Sequence, residues 1–273
     1  MKVRDVKTLL VIAFCVPEIT FCAFERLDQG GKSVAMGGAL MASPDDGWAA
    51  FSNPAGLASI GGRTLALFHV PSLFGIPGLG RSSFAFVQPA PFGGWGLSGT
   101  RCGCAQYREI ELSVACGGRV AARLDLGVSL KYCRLAIEGY GSARAFGVAL
   151  GALVGITQDL RWGFTADNVN SPVMGKVREK LPQTFTSGVS YTPVPEVEIV
   201  AAVAKDVRFP VETHFGVQYT LLGCIALRGG TVAEPAAYSM GLGLRLLPLD
   251  IDYAGASNPE LGMTHHFSLS LHF

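Results

Sequence analysis

Thr264-His265-His266-Phe267-Ser268-Leu269-Ser270-Leu271-His272-Phe273 reads with a period of two. Phe267, Leu269, Leu271 and Phe273 fall on one side of an extended chain; His266, Ser268, Ser270 and His272 fall on the other. A helix would scatter the four apolar residues around its circumference, so the stretch is a strand with one apolar and one polar face. The rhythm recurs upstream. Tyr238, Met240, Leu242, Leu244 and Leu246 alternate with Ser239, Gly241, Gly243 and Arg245. Leu249, Ile251 and Tyr253 alternate with Asp250 and Asp252, and Phe215, Val217, Tyr219 and Leu221 with His214, Gly216, Gln218 and Thr220. Leu124, Leu126, Val128, Leu130 and Tyr132 oppose Asp125, Gly127, Ser129 and Lys131.

Composition decides which face looks inward. Of 273 residues 49% are hydrophobic, only 16% are charged and 35 are glycine, with a mean hydropathy of +0.35. Ordinary soluble domains carry roughly 25% charged residues. The apolar content excludes a disordered chain, and a formal net charge of +1 offers no basic patch to nucleic acid. No uncharged apolar stretch of about 20 residues, as a membrane helix needs, follows the N-terminus. A soluble sandwich would carry a well-charged outer face. Here the second face is mostly Gly, Ser, Thr and Ala, which fits an all-β transmembrane antiparallel barrel, apolar outside and small or polar inside.

Candidate strands lie near 63–70, 81–89, 94–101, 107–116, 122–133, 143–154, 160–168, 184–192, 197–206, 212–221, 224–232, 237–247, 249–257 and 264–273. That makes about fourteen, an even number as such barrels require; dividing 94–116 and 249–273 differently gives twelve. Pro71 to Gly80 and Asn170 to Gln183 are long enough for extracellular loops. Pro193-Val194-Pro195 and Leu247-Pro248 are short joints, and they follow even-numbered strands where the long gaps follow odd ones. Gly147, Gly151 and Gly155 imitate a helix-packing motif. Their apolar run is too short to span as a helix, and the alternation of Phe146, Val148 and Leu150 with Gly147, Ala149 and Gly151 makes it a strand.

The N-terminus has a different texture. Lys2, Arg4 and Lys7 precede the apolar run Leu9 to Val16, a secretory signal over 1–23 with cleavage expected after Ala23. An uncleaved anchor, or lipidation at Cys22, is the alternative. Cleavage removes three of the 22 basic and two of the 21 acidic residues and leaves the two equal. Residues 24–60 are rich in small residues and carry two helix starts. Ser43-Pro44-Asp45-Asp46 offers a cap, a proline at the first helical position and two acids at the dipole's positive end, ahead of a short helix through Trp48 and Phe51. Asn53-Pro54-Ala55-Gly56 repeats the pattern, with Gly56 or a residue near it ending the turn.

Ala35-Met36-Gly37-Gly38-Ala39, Asp45-Asp46 and Phe51-Ser52-Asn53-Pro54-Ala55-Gly56-Leu57-Ala58 resemble the N-terminus of the PorV/PorQ proteins and the related FadL-type channels. Gly127 to Tyr132, Glu179 to Pro182, Asp252-Tyr253-Ala254 and Leu261-Gly262-Met263-Thr264-His265 extend the resemblance over nearly the whole mature chain. It implies a 14-stranded barrel of the bacterial outer membrane, 61–273, whose segment 24–60 folds into the lumen as a hatch. FadL-like channels pass hydrophobic molecules such as fatty acids through a lateral opening. PorV-like members instead hold exported cargo for type IX secretion, so secretion-system components are the alternative partners to a hydrophobic small molecule. The row Phe267, Leu269, Leu271 and Phe273 resembles the signal read by the barrel assembly machinery, a further expected partner beside outer-membrane lipid. This chain is short for either group and leaves little room for extended loops.

The residues themselves suggest a gated passage. Asn53, Pro54, Ala55 and Gly56 would fix the hatch backbone, or would serve only as a helix cap. Phe74, Ile76 and Leu79 offer an apolar landing site or an interfacial contact. Asp125 and Lys131 share a lumen face and would make polar contacts there. Catalysis is not expected: Ser268 and His266 share a face, with His69 and His214 elsewhere, but no orienting acid, oxyanion site or GxSxG accompanies them. No cofactor is implied, and no metal: His265-His266 point apart and Cys102-x-Cys104 suits neither zinc nor a redox pair. Five cysteines (102, 104, 116, 133, 224) follow Ala23, an odd number that leaves at least one unpaired.

Overall fold

A computed structural model describes residues 23–25, 27–44, 46–175, 178–234, 236–258 and 262–273. The signal segment before Ala23, Asp45 of the expected helix start and Leu261 of the resemblance lie outside the described residues. Among those described, fourteen strands close into one antiparallel barrel. They are β1 (Thr64–Val70), β2 (Gly80–Ala90), β3 (Gly93–Gly103), β4 (Tyr107–Ala121), β5 (Leu124–Ile137), β6 (Gly141–Gly155), β7 (Leu160–Asp167), β8 (Thr184–Val194), β9 (Val197–Asp206), β10 (Val211–Leu221), β11 (Ile225–Ala233), β12 (Ala237–Leu246), β13 (Leu249–Asn258) and β14 (Gly262–His272). Each pairs with its neighbours in sequence, and β14 closes on β1 with Thr64 opposite His272 and Leu67 opposite Leu269. The regions 94–116 and 249–273 each divide into two strands, which settles the count at fourteen.

Faces follow the alternation. Phe267 and Leu269 point outward, 47% and 39% exposed, while His266, Ser268 and Ser270 are buried in the lumen. Closure pairs every strand on both sides, apart from the part of β6 before Leu150 that extends beyond β7, so most wall amides are satisfied by an adjacent strand and apolar side chains can form the outer belt. The end of the barrel reached by odd-numbered strands carries the long connections after β1 and β7; the other end has tight turns such as Leu247-Pro248. We refer to these as the loop end and the turn end. β6 pairs with β7 only from Leu150 to Gly155. Beyond that, Val169 and Asn170 take over: Val169 N–H donates to Val148 O (3.0 Å), and the Asn170 amide bonds Val148 N–H (3.0 Å) and Phe146 O (2.8 Å).

The lumen is filled by the described residues between 23 and 60, which form α1 (Gly31–Ala35), a turn at Leu40–Ala42, α2 (Ala49–Ser52) and a 3-10 helix over Pro54–Ser59. One expectation for this segment is corrected. Ser43 does not cap a helix; it ends the Leu40–Ala42 turn and donates its hydroxyl to Glu198 on β9, a partner 155 residues away. The helix that follows is one turn long, and Asp46 instead accepts from Trp48 N–H (2.9 Å). The Asn53-Pro54 turn runs past Gly56 and ends nearby at Ser59.

Candidate functional site, a lumen divided in two

The inner segment is anchored on two opposite walls. At Asn53 the sequence signal holds: its side-chain oxygen accepts from Ala55 N–H (3.1 Å), capping the turn that Pro54 opens. Its amide nitrogen also donates to Met41 O (2.9 Å) and to Ala152 O of β6 (3.2 Å), tying two parts of the segment to the wall. Asn53, Ala55 and Leu57 are fully buried. The wall beneath is glycine. A Cβ at Gly117 or Gly127 would collide with the Pro54 carbonyl, and one at Gly151 with the Asn53 side chain. The apparent helix motif in β6 is therefore a strand whose inward glycines make room: Gly151 for Asn53 and Gly147 for Asn168.

The second anchor is on β10–β12. There the backbone of Met36 and Gly37 lies against Gly216 and Gly230, and Ala35 against Gly241. His214 Nδ1 meets Gly37 O at 2.7 Å, and Ser239 donates to Ala35 O at 3.2 Å. Gly37 has φ 63 and Gly38 φ 73, so the chain reverses here through a conformation few other residues adopt. Lys32 on α1 pairs with Glu198 at 3.3 Å.

Between these anchors the segment separates two chambers. One, open to solvent, lies on the loop-end side against β2–β8. Phe24, Leu27, Met41, Phe51 and Pro54 of the segment face it, opposite Arg81, Glu109, Glu111, Lys131 and Asp167 of the wall. The other, also open to solvent, lies on the turn-end side against β10–β14 and is bounded by Arg228, Arg245, Asp250, Asp252 and His272. Consecutive residues Lys32 and Ser33 border different chambers, so α1 is one thickness of polypeptide between them.

Electrostatics are locally balanced. Lys131 reaches Asp167 at 2.8 Å and Glu111 at 3.8 Å, and Arg228 reaches Asp252 at 2.5 Å. Arg81, 2% exposed, donates to Asp28 O and lies 5.0 Å from the centre of the Phe68 ring. Glu25, on the inner segment, has its carboxyl raised above the ordinary value by burial; Arg208 opposes this while Asp206 and Glu212 add to it.

The expected site residues are only partly brought together. Pro54 and Lys131 line the loop-end chamber. Asp125 does not; it sits near the turn end in a two-pronged pair with Arg119 at 2.7 and 3.0 Å. Phe74 and Leu79 do not form a free apolar patch with Ile76. They pack against the cluster of Val34, Trp48, Phe68 and Leu73, and the Phe74 amide donates to Thr264 Oγ1 at 3.1 Å, leaving Ile76 as the exposed member. Sequence reasoning missed Arg81, Glu109, Glu111 and Asp167. The alternation of Arg108, Ile110 and Leu112 with Glu109 and Glu111 was the available signal for the two glutamates. All five cysteines named above are free thiols.

No family model and no curated protein matches the chain. Solved structures do match its fold. The toluene transporter TbuX of Ralstonia pickettii superposes with a TM-score of 0.67 at 15% identity, covering 90% of this chain and 98% of that one. The toluene transporter TodX of Pseudomonas putida gives 0.65 at 14%, covering 92% and 99%. A FadL homologue of Pseudomonas aeruginosa gives 0.64 at 14%, covering 91% and 98%. This chain is thus similar in fold to toluene transporters and to a FadL homologue.

Proposed function

We infer that the chain is an outer-membrane channel for small hydrophobic molecules, with residues 24–60 as its hatch. The observation that carries this reading is the inner segment lying between two chambers, its apolar side chains Phe24, Leu27, Met41 and Phe51 turned toward the loop end. A hydrophobic solute entering there would leave water for those side chains, gaining about 25 cal/mol per Å² of apolar surface removed from water. The hatch would then have to shift, because α1 and the Asn53-Pro54 turn obstruct the way onward. Likeness of fold to transporters of toluene, and to a FadL homologue, supports aromatic or fatty-acid-like solutes. On this reading 1–23 directs export and the Phe267, Leu269, Leu271 and Phe273 row is what the assembly machinery engages. The secretion-partner alternative gains no support from the neighbours.

The test is uptake of radiolabelled toluene and oleate by cells with and without the protein, beside mass spectrometry of the barrel after mild extraction. Uptake that depends on the protein, with an apolar molecule bound, is the expected result. Recovery of detergent alone with unchanged uptake would sink the transport reading.

A further inference from the structure

The outer wall of β3–β6 carries an arrangement that passage through the lumen does not use. Arg101 stands opposite Ile110, Ile110 opposite Arg134, and Arg134 opposite Arg144, one continuous rank across four strands. Arg108 lies on the same face one step nearer the loop end, opposite Gly103 and Ala136. All four arginines are exposed, and none has a hydrogen bond, ion pair or ring contact among the described residues. The outward positions of these strands include no acidic residue; Glu109 and Glu111 point into the lumen.

Immediately below this rank the wall becomes apolar. Gly99, Leu112, Tyr132 and Phe146 form the next rank, with the Tyr132 and Phe146 rings 5.4 Å apart, and Leu97, Val114, Leu130 and Val148 the one after. Leu130 is 62% and Phe146 68% exposed, as a lipid-facing belt requires. The arginines therefore mark the boundary of the belt at the loop end. Charged side chains on the lipid face cost least at that depth, but two like charges directly across an antiparallel pair, as at Arg134 and Arg144, repel at a Cβ separation of about 5 Å. An anion between them turns that repulsion into attraction. Guanidinium forks match phosphate oxygens in pairs, and three strand spacings of about 4.8 Å spread the rank over roughly 14 Å, the breadth of a large headgroup.

The geometry points to a binding site for an anionic lipid at this surface: Arg101, Arg108, Arg134 and Arg144 hold the phosphate groups of a phosphorylated glycolipid headgroup, of the lipid A type, while its acyl chains lie along Leu112, Leu130 and Phe146. A soluble acidic partner fits less well, because the rank abuts the apolar belt with only short connections above it, after Gly103 and Ile137. The inference rests on insertion in a membrane, not on what the lumen conducts.

The full chain is reconstituted in phosphatidylcholine vesicles with and without lipid A, re-extracted in mild detergent, and its retained lipid counted by native mass spectrometry. Insertion is checked by heat-modifiable gel migration. Wild type is expected to retain lipid A. The R101Q/R134Q/R144Q variant is expected to lose roughly a hundredfold in affinity, from about 1 kcal/mol for each arginine near an anionic surface. Lys205→Gln, which removes an outward charge on β9, is expected to change nothing. An inserted wild type without lipid A, equal retention by the triple variant, or equal loss in Lys205→Gln overturns the inference. Complete displacement by inorganic phosphate would also overturn it, by reducing the site to a simple anion site. Failure to insert under any condition overturns both this inference and the channel reading.

Discussion

The two anchors of the hatch solve one problem by different means. At β4–β6 the segment brings its own fastener: one buried asparagine caps its own turn, reaches back to Met41 and reaches out to Ala152. At β10–β12 the wall supplies the fasteners, His214 and Ser239, and the segment offers only backbone carbonyls. Both anchors rest on glycine, since in both the chain approaches the wall more closely than a Cβ permits. Glycine sets the distance and hydrogen bonds set the strength. The anchor with the self-contained fastener should therefore yield last when the segment is loosened from the wall.

That asymmetry can be broken at graded sites. Filling a socket should have the largest effect. Gly127→Leu drives a side chain into Pro54 and Ala55 and should cost about 3 kcal/mol, the upper range for overpacking, by displacing the turn. Planar-bilayer conductance should rise and proteolysis near Asn53 should accelerate; a closed, protease-resistant variant would show that the glycine is not a socket. Asn53→Ala should follow at about 2 kcal/mol, because it removes the cap on Ala55 N–H and the buried bond to the Met41 carbonyl. Urea titration followed through Trp48, buried in the hatch, reads this loss. His214→Ala removes one bond to Gly37 and should cost about 1 kcal/mol in the same titration. If it opens the channel more than Asn53→Ala does, the order of the anchors is reversed. Asp125→Asn should cost least, under about 1 kcal/mol, because Arg119 is largely exposed and water takes the place of its partner; a larger loss would place that pair in the gate.

Much of the wall was legible because a strand states its faces locally. The 124–132 and 238–246 stretches needed only their own alternation, and the parity of long and short connections followed from counting. The hatch was less legible, because its contacts link distant parts of the chain. Ser43 reads as a helix cap until Glu198, far along the sequence, claims its hydroxyl. Gly127 and Gly151 read as small strand-face residues, yet their purpose appears only when Asn53 and Pro54 are laid across the wall, where Gly117 joins them. Asp125 and Lys131 look equivalent on one strand face. Six residues of rise place one by Arg119 near the turn end and the other between Glu111 and Asp167 in the loop-end chamber. Asn53 was the exception, since a cap is a local signal and here the local signal survived.

The seam where β14 meets β1 bears on the order of construction. Backbone bonds between Arg63 and Phe273, 3.1 and 3.0 Å, continue it to the turn end, and both lie far apart in the order of synthesis. Residues 23–60 precede every wall strand, and both glycine-lined anchor surfaces, β4–β6 and β10–β12, are complete before β14 exists. The hatch can thus be laid against an open, curving sheet and wrapped, with the β1–β14 seam as the final closure. A cylinder closed first would have to be threaded from one end through a lumen that the finished protein leaves largely occupied.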